Sequence, residues 1–319
     1  MTQCCIIMPL YNDWPSAEKL IGDIDRVIAG WDRDVTVLVI NDGSRERLAE
    51  PADLGNDCRH VRTLSIVELV CNQGHQRAIA IGLAYAQSLE CFESVFVMDS
   101  DGEDPPDELN LLREAGRRFP EAIITADRVS RSEGWLFRCC YWCYKLLFRM
   151  LTGVSIRFGN FCHIPAGLLD LLVHYPELWN SLSGCIKKSG LPREGIDSHR
   201  GKRYFGPSKM SFVSLVLHGL SAISVFKEAM LLRVLLFFAP VTAVAGVAAA
   251  VSGATVFQGG ASAGVAPALL LSAGLFFALA QVDAILFLLL IHRLSNRAVR
   301  VQGPALFWRD YVKAVTRVL

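Results

Sequence analysis

Up to about residue 128, short apolar runs alternate with stretches in which apolar positions recur every three or four residues. The runs are Cys4 to Leu10, Val35 to Ile40, Leu64 to Val70, Val95 to Met98 and Ala122 to Ala126, and the helix-like stretches cover 15–29, 75–89 and 106–118. Such alternation predicts an α/β fold whose parallel sheet is flanked by helices. In these sheets ligands bind beyond the carboxyl ends of the strands, so the polar residues that follow each run are the ones to inspect.

The periodicity then changes. Between Trp135 and Leu151 the cations Arg138, Lys145 and Arg149 fall within about 40° of one another at 100° per residue, opposite a broad aromatic and aliphatic face. That pattern predicts an amphipathic helix lying in a membrane interface, a core-facing helix with a solvated basic stripe being the other reading. Two long apolar spans follow, Leu231 to Ser252 and Val265 to His292, each long enough to cross a hydrocarbon layer of about 30 Å. Arg293, Arg297, Arg300, Arg309, Lys313 and Arg317 come after the second span against one acid, Asp310. This asymmetry predicts a two-helix transmembrane hairpin with both termini cytoplasmic, and so an integral protein of an inner or plasma membrane. Asp283 inside the second span is costly in lipid, and pairing, an oligomer contact and a near-interface position all fit it.

Composition sharpens the division into a soluble front and an apolar back. The 319 residues are 52% hydrophobic, yet Leu231 to Leu290 contains only Arg233 and Asp283 as charged groups. A net charge of +1 without a basic run excludes a nucleic-acid partner. The ten cysteines read as free thiols in a reducing compartment, since only Cys140 and Cys143 form a CxxC and no second ligand pair accompanies it. No GxGxxG follows the first run and no GxxxxGK[ST] is present, which disfavours dinucleotide and P-loop chemistry.

The chemistry-bearing feature is Asp99-Ser100-Asp101, directly after the run Val95 to Met98. Carboxylates at i and i+2 share one side of an extended chain, and two hard oxygen ligands suit Mg²⁺ or Mn²⁺ bound together with substrate phosphates. Asp99 and Asp101 are therefore the candidate metal ligands. His75 and Gln76 open the helix after the third run; helix capping and packing against the acid loop is the preferred reading, an anion site at the helix start the other.

Four further stretches keep company with the acids: Ile7-Met8-Pro9-Leu10-Tyr11-Asn12, Val39-Ile40-Asn41-Asp42-Gly43-Ser44, Asn72-Gln73-Gly74-His75-Gln76, and the continuation Gly102-Glu103-Asp104-Pro105-Pro106. In this order they resemble the inverting family-two glycosyltransferases of GT-A fold, and most closely their polyisoprenyl-phosphate branch, as does Arg203-Tyr-Phe-Gly206-Pro-Ser208-Lys209 ahead of the spans. The resemblance covers essentially the whole chain. It implies a GT-A Rossmann-like mixed sheet with flanking helices, interface helices and a two-helix hairpin. It further implies a nucleotide-sugar donor linked to UDP or GDP, a polyprenyl phosphate acceptor of undecaprenyl or dolichyl type, and membrane lipids as partners. By the same likeness Pro9, Tyr11, Asn12 and Asp42 would line the base and ribose pocket, with Glu103 near metal and sugar. Asp99 would lie near the ribose and diphosphate, and Asp101 would be the principal metal ligand. Arg128 and Arg131 would engage phosphates, and Arg203, Ser208 and Lys209 would close over the diphosphate or the acceptor phosphate.

The chain departs from the family pattern at three places. Asp13 stands for the usual Glu and Asn41 for the first of two acids, while Gly159-Asn160-Phe161 replaces the branch's common Gly-Asp-Phe. An amide takes no proton at useful pH, so the expectation is that Asn160 positions an acceptor that is already an anion; His163 is a candidate substitute base, although a lone histidine is more often structural, which is the preferred reading. A processive polysaccharide synthase would show more spans and a Gln-x-x-Arg-Trp motif, both absent. The remaining rivals are a catalytically silent membrane-anchored nucleotide-sugar-binding or scaffold protein and a transferase using another lipid acceptor. The expected division is 1–134 for the nucleotide-sugar core, 135–230 for the acceptor side, 231–292 for the hairpin and 293–319 for a basic tail. A homo-oligomer is expected from the apolar hairpin and the habits of similar proteins.

Overall fold

In the computed structural model each of the five apolar runs is a strand, and the alternation of their residues divides two cores. The structure describes residues 3–46, 54–55, 57–130, 135–206, 212–258, 265–295 and 302–319. Strand β1 (Gln3–Leu10) turns Cys5 and Ile7 to one face, and Cys4, Ile6, Met8 and Leu10 to the other. The strands β2 (Asp34–Asn41), β3 (Val61–Leu69) and β4 (Phe92–Val97) alternate in the same way, so neither face of this part of the sheet meets solvent. Helices α1 (Trp14–Ile28) and α3 (Glu108–Arg118) cover one face, and α2 (His75–Ser88) covers the other. A Cβ on Gly82 of α2 would lie 2.8 Å from Ile40 and 2.9 Å from Ile7, so glycine lets this helix sit directly on the sheet.

The sheet has eight strands in the order β7-β5-β6-β4-β1-β2-β3-β8. Strands β5 (Ile123–Ser130), β6 (Phe158–Pro165), β7 (Arg193–His199) and β8 (Val312–Arg317) complete it. β6 runs antiparallel between β4 and β5, and β8 runs antiparallel on β3, so the sheet is mixed. Between these strands lie α4 (Trp135–Thr152), α5 (Ala166–Leu172), α6 (Leu182–Ser189), α7 (Phe212–Ser224), α8 (Lys227–Phe257), α9 (Val265–Ser295) and α10 (Pro304–Tyr311).

The chain gathers into two compact units, one of Met1–Arg138, Ile156–Val225 and Gln302–Leu319, the other of Cys139–Ser155 and Phe226–Val301. The first contains the whole sheet. Its last segment corrects the expectation of a basic tail standing apart: α10 and β8 fold into the sheet unit, with Trp308, Tyr311 and Val312 against one core and Val318 and Leu319 against the other. Charge on the outward faces of these short elements hid their apolar contacts.

The second unit is dominated by α8 and α9, two helices long and apolar enough to cross a membrane. At 1.5 Å per residue their 31 residues each extend about 46 Å. Their apolar side chains stay uncovered, with Leu236 63%, Val244 70% and Leu271 76% exposed. Within the pair, Thr242 donates its hydroxyl to Asp283 Oδ2 at 2.6 Å, so the acid in the second span is partnered inside the hairpin. On α4, Trp142, Leu146, Leu147 and Met150 are exposed beside Lys145 and Arg149, whereas Phe148 is buried against Phe226. An uncovered apolar face on an otherwise basic helix is what a membrane interface accommodates.

Candidate active site

The carboxyl ends of β1, β2 and β4 lie side by side, so the turns that follow them meet. Pro9 is buried in β1, and Tyr11 just beyond it is 37% exposed. Asn12 adopts a left-handed backbone (φ 52°), which asparagine tolerates better than most residues. Its Oδ1 accepts the N–H groups of Arg45 (2.8 Å) and Glu46 (3.2 Å), tying the turn after β1 to the one after β2. Asn41, in place of an acid, bridges Glu68 through Nδ2 and accepts Ser44 N–H through Oδ1.

Asp42 is 3% exposed and accepts the N–H groups of Gln73 (2.6 Å) and Gly74 (2.9 Å). Burial pushes its pKa up, against those two donors and nearby His75. The protein's own carboxylate thus meets the amides ahead of α2, where a bound anion was the other reading. His75 does not cap the helix but packs on the acid loop, as preferred, with Nε2 3.2 Å from Asp99 Oδ1.

The loop after β4 is organised by its own acids. Asp104, 3% exposed, accepts Asp99 N–H at 2.9 Å, and Asp101 Oδ1 accepts Glu103 N–H at 2.9 Å. A second loop, residues 200–206, is fastened along this one. Gly201 and Tyr204 donate backbone N–H groups to the carbonyls of Glu103 (2.8 Å) and Asp101 (3.0 Å). Arg203 places one guanidinium nitrogen 2.8 Å from Asp101 Oδ2 and another against Asp13 Oδ2. Arg200 binds Glu103 Oε2 through two nitrogens, and Tyr204 donates its hydroxyl to Asp23 at 2.6 Å. Gly102 has φ +85°, and a Cβ there would lie 2.7 Å from the Tyr204 ring, so the close approach of the loops needs glycine twice over.

The electrostatics follow from this crowding of acids. Burial and then the neighbouring Asp99 carboxylate raise the Asp101 pKa, with Arg203 opposing. Burial alone would lower His75, but Asp99, Asp104 and Asp101 together raise it. The site is a cluster of acids whose counter-charge is supplied by Arg203 and Arg200.

Asn160, on β6, joins the cluster: its Nδ2 lies 2.9 Å from His75 Nε2 and its Oδ1 accepts from Gln76 Nε2 at 3.0 Å. His163 does not join it. Three residues on, it faces the opposite side of the strand, 7% exposed and 4.8 Å from the Phe96 ring, with a pKa pushed down to about 4 by burial and then by Arg33. Of the two readings of His163 the structural one holds and the substitute base is set aside: it is a core side chain. Arg128 lies near the end of β5, paired with Ser198, while its side chain, together with Arg131, Ser208 and Lys209, lies outside the described residues. Sequence reading missed the roles of Arg200, Tyr204 and Gln76, whose contacts join segments 84 to 181 residues apart, and the local hydrogen bond between Asp104 and Asp99.

Among the described residues no cluster of three or more His, Cys, Asp or Glu side chains is arranged to hold a metal ion. The carboxylates of Asp99 and Asp101 nevertheless offer the hard oxygen donors that suit Mg²⁺ or Mn²⁺, cations that take part of their coordination from phosphates and water. The donor set fits a cation that arrives with a phosphorylated substrate better than one locked in a protein cage.

Residues 5–150 match the family model described as glycosyl transferase family 2. An uncharacterized glycosyltransferase of Synechocystis is 24% identical over 66% of this chain and 65% of its own length, so the match spans just under two thirds of that relative. An uncharacterized glycosyltransferase of Bacillus subtilis is 23% identical over 71% of this chain and 69% of its own. Among solved structures, glucosyl-3-phosphoglycerate synthase of Mycobacterium tuberculosis, captured with Mn²⁺, UDP-glucose and phosphoglyceric acid, superposes with a TM-score of 0.51 at 14% identity, over 73% of this chain and 79% of that one. Likeness at that identity establishes the shared fold. The matched stretch runs from β1 into α4 and holds both acids of the central loop; it is similar to glycosyl transferase family 2, and the sheet that carries it is a GT-A-like mixed sheet.

Proposed function

We propose that this protein is an inverting glycosyltransferase that moves a sugar from a UDP- or GDP-linked donor to a polyprenyl phosphate, giving a lipid-linked monosaccharide for cell-envelope glycan or lipid modification. The observation that carries the reading is the pairing of the Asp99–Asp101 loop with Arg200 and Arg203, at the sheet edge where such folds bind nucleotides. Those guanidinium groups suit a diphosphate once a substrate draws them from the acids. Asp99 and Asp101 would hold Mg²⁺ or Mn²⁺, which when bound neutralises charge on the departing diphosphate; the mycobacterial structure with Mn²⁺ and UDP-glucose supports that choice.

The reaction is a single in-line displacement. A phosphate oxygen of the acceptor forms the new bond to the anomeric carbon as the bond to the nucleoside diphosphate breaks, and the configuration inverts. A phosphate monoester has a second pKa of about 6, so the nucleophile arrives ionised and no side chain needs to take a proton. Catalysis then rests on positioning and charge stabilisation. Pro9, Tyr11, Asn12 and Asp42 would shape the nucleoside side, Glu103 the sugar side, and Arg128, Arg131, Ser208 and Lys209 the phosphates.

The apolar hairpin and the exposed face of α4 supply a reason for a lipid acceptor. Residues before α8 and after α9 belong to the same sheet unit, so a hairpin that crosses twice returns the chain to the side from which it left. With the basic residues after α9, this supports a catalytic unit and both termini at the cytoplasmic face. The test is incubation of the purified protein with radiolabelled UDP- and GDP-sugars, Mg²⁺ or Mn²⁺ and undecaprenyl phosphate. Label should enter the organic phase and Asp101→Ala should abolish it; if no donor gives lipid-borne label, or the variant retains it, the reading fails.

A further inference from the structure

A line of hydrogen bonds runs to the site from a backbone group that cannot reverse its polarity. Leu182 is the first residue of α6, and its N–H is one of the donors a helix start leaves without an intrahelical acceptor. It donates to Gln76 Oε1 at 2.8 Å. Gln76 must therefore turn its carbonyl oxygen to Leu182 and its amide nitrogen the other way, toward Asn160 Oδ1 at 3.0 Å. Asn160 in turn faces His75 Nε2 with its amide nitrogen, 2.9 Å away, and that same ring nitrogen is 3.2 Å from Asp99 Oδ1. A histidine could not impose this direction, because its tautomers exchange donor and acceptor; a main-chain N–H can. Gln76 is 8% exposed and both ends of its amide are engaged, so it is held rather than free to turn over.

We propose that Gln76 is a positioning residue that fixes Asn160 as a hydrogen-bond donor on the side of the acid loop, so that the acceptor taken there is an ionised phosphate and not a neutral hydroxyl. The inference rests on the transferase reading and names the acceptor chemistry of the same site. An attacking hydroxyl must lose a proton, and Asn160 offers it no base: its oxygen is turned to Gln76, and an amide takes no proton at useful pH. A phosphate oxygen needs donors, and the amide nitrogen supplies them. No other residue type does what Gln76 does: glutamate would accept from Leu182 equally well but has no N–H for Asn160, and methionine would engage neither.

The test uses Gln76→Glu and Gln76→Met in the full chain in detergent. Steady-state kinetics separate the KM for undecaprenyl phosphate from that for the donor, and calorimetry with farnesyl phosphate reads acceptor binding without turnover. Melting temperatures exclude unfolded material. Glu at 76 turns the Asn160 amide round, so the acceptor KM and the farnesyl phosphate Kd should both weaken by about tenfold, one charge-assisted hydrogen bond, while the donor KM stays within about twofold. Met at 76 releases the amide without reversing it and should fall between wild type and Gln76→Glu. Unchanged acceptor affinity in Gln76→Glu, or equal weakening of donor and acceptor, overturns the proposal. A wild type that transfers to no prenyl phosphate defeats the transferase reading, and the binding arm still decides this inference: farnesyl phosphate binding that weakens in Gln76→Glu upholds it, and no binding overturns it. A wild type that glycosylates a hydroxyl acceptor overturns this inference and the lipid-phosphate acceptor of the proposed function, and leaves sugar transfer itself standing.

Discussion

Replacing Arg203 with alanine should make the free protein bind Mn²⁺ more tightly. In the free chain the Arg203 guanidinium lies 2.8 Å from Asp101 Oδ2, with the two side chains 16% and 19% exposed, so a cation reaching that carboxylate must first displace the arginine. A hydrogen bond between charged groups contributes about 1.5–3 kcal/mol when buried, and exposed ion pairs about 0–1 kcal/mol. This pair lies between those cases, and Arg203 keeps Asp13 when it releases Asp101, so the displacement costs about 1–2 kcal/mol. Removing the arginine should therefore tighten Mn²⁺ binding by about five- to thirtyfold. The assay is titration of detergent-solubilised protein with Mn²⁺ at pH 8, following the free ion by electron paramagnetic resonance with no nucleotide present. The Asp101 pKa is already raised by burial and by Asp99, and losing Arg203 raises it further, so the gain should shrink as the pH is lowered. Unchanged or weaker Mn²⁺ binding in Arg203→Ala would refute the idea that this arginine occupies the cation's place.

Three other outcomes follow from the structure. Asp25 accepts N–H groups from Arg59, His60 and Val61; burial opposes its charge but these donors hold its pKa below the usual carboxylate value. Its stabilisation is therefore full above the unfolded value near 4 and fades as pH falls through the lower folded value, so Asp25→Asn should cost about 1–2 kcal/mol in melts at pH 7 and converge on wild type as the pH falls below that lowered value. Gly102→Ala forces a side chain into a left-handed backbone and against the Tyr204 ring, and should lower the melting temperature and weaken nucleotide binding together, as read by thermal shift with and without UDP. Trp308→Ala removes a ring packed 5.2 Å from Tyr85 and should lower the melting temperature by about 4–8 °C for a loss of about 2 kcal/mol; no change would mean that the terminal segment is not part of the folded sheet.

The five strands read from apolar runs were legible because both of their faces are buried, which forces near-continuous hydrophobic sequence. The three strands that were not legible lack that signature. Strand β7, Arg-Glu-Gly-Ile-Asp-Ser-His, is a half-exposed edge, and β8 is an exposed edge within a basic stretch; β6 is broken up by Gly159 and Asn160. The acid motif stood out because Asp99 and Asp101 follow a strand directly. Its pairing with arginines did not: the resemblance named Arg203 for the phosphates and Arg200 not at all, because the two reach Asp101 and Glu103 across about a hundred residues of chain. His163 and Asn160 look equally polar in sequence, and only strand alternation around the sheet separates a core imidazole from a site amide.

The central claim is transfer of one sugar to a lipid phosphate with inversion. The most direct measurement is mass spectrometry and NMR of the lipid product formed from an α-linked nucleotide-sugar and undecaprenyl phosphate by the purified full chain. The account predicts a polyprenyl monophosphate bearing a single sugar in β linkage, absent with Asp101→Ala. An α-linked product, a lipid diphosphate, or sugar released only to water would contradict it.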